Sequence, residues 1–148
     1  MIRSAVGGDE PDIRACAESA YVRYVTTIGR KPGPMVADST AQIAAGEIYV
    51  ATDEENRLQG FIVFFPCKDH MVLENVAVQP RASGRGIGTS LIRFCEDGTR
   101  RSGLGAVHLY TNEKMTDNLS IYPRLGYVEV DRRAENGFNR VFFEKRLE

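Results

Sequence analysis

Three glycines at alternating positions, Gly84, Gly86 and Gly88, lie between a strand-like segment and a helical pattern. The preceding segment, residues 71–78, is rich in apolar and β-branched residues, which predicts a strand. Apolar residues recur at helical spacing from Ile87, so a helix is expected to open within or just after the glycines. The first N–H groups of a helix have no partner within it, and its dipole favours negative charge there. The sequence therefore predicts a site for a pyrophosphate, which glycines allow to approach the backbone closely.

The spacing of the glycines distinguishes between classes of phosphate ligand. A Walker A loop ends in Gly-Lys-Ser/Thr, and no lysine stands near this loop. A dinucleotide-binding turn has the pattern Gly-x-Gly-x-x-Gly, whereas these glycines occupy every second position. Arg81 and Arg85 add positive charge beside the loop. A phosphate-bearing ligand other than ATP or NAD is therefore favoured.

The loop resembles the acetyl-coenzyme A loop of the GNAT N-acetyltransferase superfamily, usually written Gln/Arg-x-x-Gly-x-Gly/Ala. Gly86 and Gly88 occupy its glycine positions, and Ser83 stands where the family usually has Gln or Arg. In the family, strand N–H groups before the loop bind the pantetheine arm and polarise the thioester carbonyl. The resemblance implies that acetyl-coenzyme A contacts Val76, Ala77, Val78, Gly84, Arg85, Gly86, Ile87, Gly88 and Thr89.

A second stretch, residues 112–127, resembles the family motif in which Asn-x-x-Ala precedes Tyr, a charged residue and Leu-Gly-Phe/Tyr. The residues that match are Tyr122, Arg124, Leu125, Gly126 and Tyr127. Met115 falls where the family has a pantetheine-contacting Asn, and Asn118 falls where it often has Ala. Asn118 is therefore a candidate for supplying that polar contact instead.

The resemblance also implies roles in acetyl transfer. An alkyl amine has a pKa of about 10.4, so its deprotonation at neutral pH costs about 4–5 kcal/mol, which a general base must offset. Tyr122 matches the family tyrosine at the coenzyme sulfur, where a phenol can donate a proton to the departing thiolate. Glu74 stands on the central strand, where many relatives place a carboxylate that acts as the base. Three residues near the end of the neighbouring strand compete with it: His108, Tyr110 and Glu113.

The composition limits the partners and the location. The chain has 148 residues, which predicts one domain, 1–148, and its net charge of −1 offers no basic excess for nucleic acid or a membrane surface. The longest apolar run, residues 61–67, is too short to span a bilayer, and the N-terminus lacks the apolar core of a signal peptide. Cys16, Cys67 and Cys95 are far apart and odd in number, which predicts reduced core residues of a cytoplasmic protein, not a disulfide framework or a zinc site. With only two histidines, no metal site is expected.

Periodicity and turn residues predict the order strand, two helices, three strands, helix, strand, helix and two strands. The expected strands cover residues 2–6, 47–52, 58–66, 71–78, 106–111, 127–131 and 140–147. The first helix is expected to be capped by Asp9, and the second to begin at Asp38 or Ser39. The resemblance implies the α/β (α+β) GNAT acyl-CoA N-acyltransferase fold, a mixed, mostly antiparallel twisted sheet of about six to seven strands flanked by about four helices.

The function that the resemblance implies is transfer of the acetyl group of acetyl-CoA to a primary amine by direct attack in a ternary complex, without a metal. A protein N-terminus, a lysine, a polyamine, an aminoglycoside and a small amino acid all stay open as acceptors, and a homodimer is compatible with the family. In that fold the segment joining the first two helices covers the acceptor side, so candidate acceptor contacts are Tyr21, Tyr24, Arg30 and Met35. Two alternatives stay open: a catalytically inactive acetyl-CoA sensor, and a nucleotide-binding regulator.

Overall fold

The computed structural model describes residues 1–28, 39–135 and 137–147, and one sheet organises them. Its seven strands are β1 Ile2–Ser4, β2 Ile48–Thr52, β3 Leu58–Cys67, β4 His70–Val78, β5 Ala106–Asn112, β6 Val128–Glu135 and β7 Phe138–Arg146. They lie in the order β1-β2-β3-β4-β5-β7-β6. All neighbouring pairs are antiparallel except β4 and β5, which are parallel. The predicted mixed, mostly antiparallel sheet is confirmed.

Four α-helices accompany the sheet: α1 Glu10–Ile28, α2 Ser39–Ala44, α3 Ile87–Arg101 and α4 Thr116–Arg124. Helix α1 packs on one face of β3 and β4 and buries Ile13, Cys16, Ala17 and Tyr21 there, as their helical spacing predicts. Helix α3 packs on the opposite face and buries Leu91, Ile92 and Cys95 against residues of β3, β4 and β5. The described helices include none long and apolar enough to cross a membrane.

A β-bulge divides β4 into two halves. Val63 of β3 pairs with Asn75, but the next β3 residue, Phe64, pairs with Leu73, so Glu74 is an extra residue in β4. Side chains along a regular strand alternate between the two faces, and a bulge interrupts that alternation. Glu74 and Asn75 therefore both face the side of α1 and α2, where Gln42 donates a hydrogen bond to Glu74.

The parallel pairing of β4 with β5 is short. Only Met71–Leu73 pairs with Val107–Leu109, and the two strands separate beyond this point. Residues on both sides of the gap line a cavity. The carboxyl ends of parallel strands are a common place for ligands, because the chain leaves the sheet there and opens a crevice.

Several predicted boundaries were wrong at the ends of elements. β1 ends at Ser4 because Val6 N–H donates to the Asp9 carboxylate at 2.8 Å, within a turn that precedes α1. Asp9 therefore does not cap α1; its carboxylate also binds the Arg3 guanidinium at 2.8 and 3.0 Å. Strands β6 and β7 are longer than predicted because they pair with each other from Val128–Glu144 to Glu135–Phe138. Cys67 was also predicted wrongly as a core residue, since it lies exposed at the end of β3.

Candidate active site

The glycine loop presents open backbone donors at the start of α3. Gly84 and Gly86 have φ values of 79° and 77°, in the left-handed region that favours glycine. Gly86 is the N-cap of α3, and as a glycine it supplies no side-chain cap to the helix. The first helical hydrogen bond runs from Ser90 N–H to Gly86 O at 3.0 Å. The preceding N–H groups, those of Ile87, Gly88 and Thr89, are therefore available to an anion.

An open groove of about 740 Å³ runs along this loop between α1, β4 and α4. The structure places nearly all the predicted coenzyme-contacting residues on it: Val76, Ala77, Val78, Gly84, Gly86, Ile87, Gly88, Thr89 and Asn118. Arg85 is exposed and does not line the groove. Arg81 donates to Leu58 O at 3.4 Å, away from the helix start. The part of Arg85 in binding the coenzyme stays a prediction.

A second, narrower cavity of about 40 Å³ fills the gap between β4 and β5. It shares Tyr21, Val76, Asn118 and Tyr122 with the groove, so the two spaces meet at these four residues. A ligand in the groove and a second ligand in the cavity would therefore come into contact beside Tyr122.

Tyr122 combines a buried ring with an unengaged hydroxyl. The side chain is 7% exposed and its ring lies edge-on to Tyr127, with 5.8 Å between ring centroids. Burial raises the pKa of Tyr122 to about 12, so the phenol is neutral near pH 7 and can donate a hydrogen bond. No residue in the described part of the chain hydrogen-bonds to this hydroxyl. By contrast, the Tyr127 hydroxyl donates to Glu96 Oε2 at 2.9 Å.

Glu74 lines the narrow cavity from the bulge in β4. Burial raises the pKa of its carboxyl group, the hydrogen bond from Gln42 lowers it, and the charge of Glu47 raises it further. The net upward shift brings the carboxylate closer to the range in which a general base works near neutral pH. Sequence reasoning missed Gln42, since the short α2 that carries it has no motif.

The three competing bases are placed differently. Tyr110 lines the same cavity as Glu74. His108 does not; its ring stacks on His70 with 3.9 Å between centroids, and its Nε2 lies 2.7 Å from Glu144 Oε2. Glu113 also lies outside the cavity lining and accepts a hydrogen bond from Asn139 Nδ2 at 3.0 Å. Position therefore favours Glu74 and Tyr110, and the identity of the base stays a prediction.

Asn118 is held at the meeting point of the two spaces. Its Nδ2 donates to Thr111 Oγ1 at 3.2 Å and contacts Met115 Sδ at 3.7 Å. Met115 is buried, with 3% exposure, so it offers no polar group to the groove. Because the amide nitrogen of Asn118 is engaged, its oxygen is the group that can accept a hydrogen bond from a ligand. The prediction that Asn118 substitutes for the family Asn is compatible with this placement and is not tested by it.

Two further residues, Arg124 and Tyr21, line the site. Arg124, which the sequence singles out only as part of a motif, lines the groove from α4. Its position on the same short helix as Asn118 and Tyr122 is the feature of the sequence that could have identified Arg124 as a site residue. Tyr21 lines both spaces, and its hydroxyl lies 2.6 Å from Asn75 Oδ1 and 3.1 Å from Val76 O. Of the other candidate acceptor contacts, Tyr24 lies in α1, and Arg30 and Met35 lie outside the described residues.

The sequence matches one family model and one individual protein among those compared. Residues 44–129 match the family model described as the acetyltransferase (GNAT) domain. The probable N-acetyltransferase 14 of Xenopus tropicalis is 26% identical over 100 residues, which cover 66% of this chain and 48% of that protein. The chain thus spans about half the length of this curated relative.

Solved structures show the same fold at low sequence identity. The PaiA N-acetyltransferase of Thermoplasma acidophilum, in complex with coenzyme A, has a TM-score of 0.83 and 16% identity, covering 99% of this chain and 98% of that one. Ard1 of Thermoplasma volcanium has a TM-score of 0.79 and 16% identity, with coverage of 100% and 97%. The family model spans more than half of the sequence, and the arrangement of strands and helices agrees with it. The chain belongs to the GNAT acetyltransferase family.

Proposed function

We propose that this protein is an N-acetyltransferase that moves the acetyl group of acetyl-CoA to a primary amine by direct attack in a ternary complex. The observation that supports this most is the meeting of the groove and the narrow cavity at Tyr21, Val76, Asn118 and Tyr122. A coenzyme in the groove and an amine in the cavity would bring the thioester and the amine together there. Such positioning is a large part of what an enzyme contributes to a two-substrate reaction.

The groove fits a long phosphate-bearing coenzyme. Left-handed Gly86 and the open N–H groups of α3 suit a pyrophosphate, and a Cβ added at Gly86 would meet no atom within 4 Å. Arg124 adds positive charge on the opposite wall. Among the described residues, the edge of β4 beyond Leu73 has no strand partner on the β5 side, so its backbone can pair with the amide groups of a pantetheine arm.

Acetyl transfer forms one bond, breaks another and releases one proton. The amine nitrogen bonds to the thioester carbonyl carbon, the carbon–sulfur bond breaks, and the amine loses a proton to Glu74, directly or through water. A phenol of pKa about 12 is a weaker acid than a thiol, whose pKa is about 8.5, so full transfer from Tyr122 is uphill. Tyr122 therefore stabilises the leaving thiolate mainly by donating a hydrogen bond. The proton released by the amine finally neutralises the thiolate.

The test is release of free thiol from acetyl-CoA in the presence of a panel of primary amines, combined with calorimetric titration of the coenzyme. We expect micromolar-to-millimolar coenzyme binding and amine-dependent thiol release. Tight coenzyme binding with no turnover on any amine would instead support the sensor alternative. Comparable binding of ATP or NAD would support a nucleotide-binding regulator.

A further inference from the structure

A largely covered arginine, Arg140, lines the narrow cavity on the side away from β4. The Arg140 side chain is 12% exposed, and its guanidinium lies over the ring of Tyr110 at 4.3 Å and over that of Phe138 at 5.6 Å. All three residues line the cavity. The two rings hold the planar guanidinium by cation–π contact, so its orientation is fixed before any ligand binds.

The hydrogen-bonding capacity of Arg140 is only partly used. Its Nη1 donates to Glu135 Oε1 at 3.2 Å, and the described residues provide no other partner. A guanidinium has five N–H donors, so several stay available to a ligand. Glu135 is shared, because its other oxygen lies 3.2 Å from Nε of Arg133. Glu135 therefore orients Arg140 and lowers, without removing, its attraction for an anion.

The register of the sheet places Arg140 and Glu74 on opposite flanks of the cavity. Asn112 of β5 pairs with Arg140 of β7, while β4, which carries Glu74, lies on the other side of β5. Tyr110 of β5 lines the cavity between them. Neighbouring paired strands are about 4.8 Å apart, and β4 and β5 separate beyond Leu73, so the two backbones are more than about 10 Å apart. Both residues line the same cavity, so their side chains can contact one small molecule.

We infer that the acceptor amine also carries a carboxylate, which binds the guanidinium of Arg140 while the amine lies between Glu74 and Tyr122. This inference rests on the proposed function and narrows the acceptor class. A guanidinium matches a carboxylate in a bidentate geometry, so an amino acid or a similar zwitterion uses the unengaged donors. Polyamines and aminoglycosides are disfavoured, because each would bring a second positive charge next to Arg140.

The experiment compares amines that differ in the anion, and each kcat/KM is expressed per neutral amine, because replacing a carboxylate by an amide also lowers the pKa of the neighbouring amino group. Glycine, β-alanine and γ-aminobutyrate are each paired with their own primary amide, and kcat/KM is measured by thiol release for every member. We expect the carboxylate to exceed its amide by roughly 10–100-fold in the pair whose length matches the cavity, as for a hydrogen bond to a charged group. A diamine, 1,3-diaminopropane, should be a poorer acceptor than that carboxylate.

Two variants test whether Arg140 is responsible. Arg140→Gln should reduce the carboxylate-to-amide ratio to near one, and Arg140→Lys should retain part of it, because the charge stays and the planar fork is lost. Arg133→Gln is the matched control. Arg133 shares Glu135 with Arg140, but it lies over Phe142 at 4.1 Å and outside the cavity lining. It should leave the ratio unchanged.

The outcomes separate this inference from the proposed function. If the protein acetylates amides and carboxylates equally well, the inference is wrong while the N-acetyltransferase proposal stands. If it binds coenzyme and acetylates no amine, both fail. A loss of ratio in Arg133→Gln equal to that in Arg140→Gln would show a general charge effect and would overturn the role of Arg140. Should Arg140→Gln fail to fold in a thermal melt, the comparison of carboxylate with amide in the unmodified protein still decides.

Discussion

Replacing Tyr122 by Phe removes one hydroxyl and keeps the ring that packs against Tyr127 and Phe143. The hydroxyl has no hydrogen-bond partner among the described residues, so Tyr122→Phe breaks no bond that holds the fold. We expect the free energy of unfolding to change by less than about 0.5 kcal/mol. If the hydroxyl donates to the leaving thiolate, kcat should fall by about 10²–10³-fold, the usual effect of losing one donor to a developing negative charge.

The neighbouring tyrosine supplies the control. Tyr127→Phe removes a buried hydroxyl that donates to the Glu96 carboxylate at 2.9 Å. A hydrogen bond to a charged group contributes about 1.5–3 kcal/mol, and the midpoint of melting should fall by about 2–4 °C for each kcal/mol. Glu96 keeps its two contacts with Lys145 Nζ, at 3.1 and 3.2 Å, so the carboxylate does not become an uncompensated buried charge. Tyr127 lines neither the groove nor the narrow cavity, so kcat per folded molecule should stay unchanged.

The assay measures three quantities for each variant: thiol release with one accepted amine, the dissociation constant of acetyl-CoA, and the melting temperature. We expect Tyr122→Phe to lose turnover and to keep its stability and coenzyme affinity. We expect Tyr127→Phe to lose stability and to keep its turnover and coenzyme affinity. An unchanged kcat in Tyr122→Phe would refute the role of the hydroxyl. Equal losses of stability in the two variants would show that the Tyr122 hydroxyl supports the fold, contrary to the described contacts.

Three other perturbations test the groove and the base. Gly86→Glu should abolish coenzyme binding in calorimetry. The control Gly103→Glu replaces a glycine of similar φ (74°) beyond the far end of α3, so it should lower stability and leave binding intact. Equal binding losses in the two variants would contradict the loop assignment. Arg124→Gln should weaken coenzyme binding roughly 2–5-fold at low salt and less at high salt, because salt screens exposed charges. Arg85→Gln, outside the groove lining, should weaken coenzyme binding less than Arg124→Gln does. Calorimetric titrations of both variants at two salt concentrations test this order. Because the folded pKa of Glu74 is raised above 4.5, kcat/KM should rise with pH through that higher pKa. Glu74→Gln should remove this rise from the pH profile of kcat/KM. An identical pH profile in the variant would exclude Glu74 as the base.

The parts of the site that depend on local geometry are predictable from the sequence. Gly86 and Gly88 follow a strand and open a helix, and chain-local hydrogen bonding is sufficient to place them at an anion site. Tyr122 is a candidate through the resemblance of residues 112–127 to a family motif, and the structure places it in the short helix α4. Such features follow from the order of residues along a few turns of chain, so a single sequence carries them.

The parts that depend on pairing between distant segments are not predictable in this way. The bulge at Glu74 exists because β3 and β4 pair in two different registers, which no pattern within β4 reveals. Arg140 looks like any charged residue of a surface strand until β5 and β7 pair and place Tyr110 beneath it. Arg85 is adjacent to the glycines in sequence, yet it is exposed and does not line the groove.

The short junction between β4 and β5 has a mechanical consequence. Only three residue pairs, from Met71–Val107 to Leu73–Leu109, join the half of the sheet formed by β1–β4 to the half formed by β5–β7. Beyond them β4 still pairs with β3, but its amides on the β5 side have no strand partner among the described residues, so these amides should exchange hydrogen for deuterium more rapidly in the free protein. A pantetheine arm bound along Val76–Val78 would occupy the place of the missing partner strand. Coenzyme binding should then slow exchange on both sides of the gap, with the ligand acting as a removable brace at an edge where the two halves, joined elsewhere by the core under α3, do not pair.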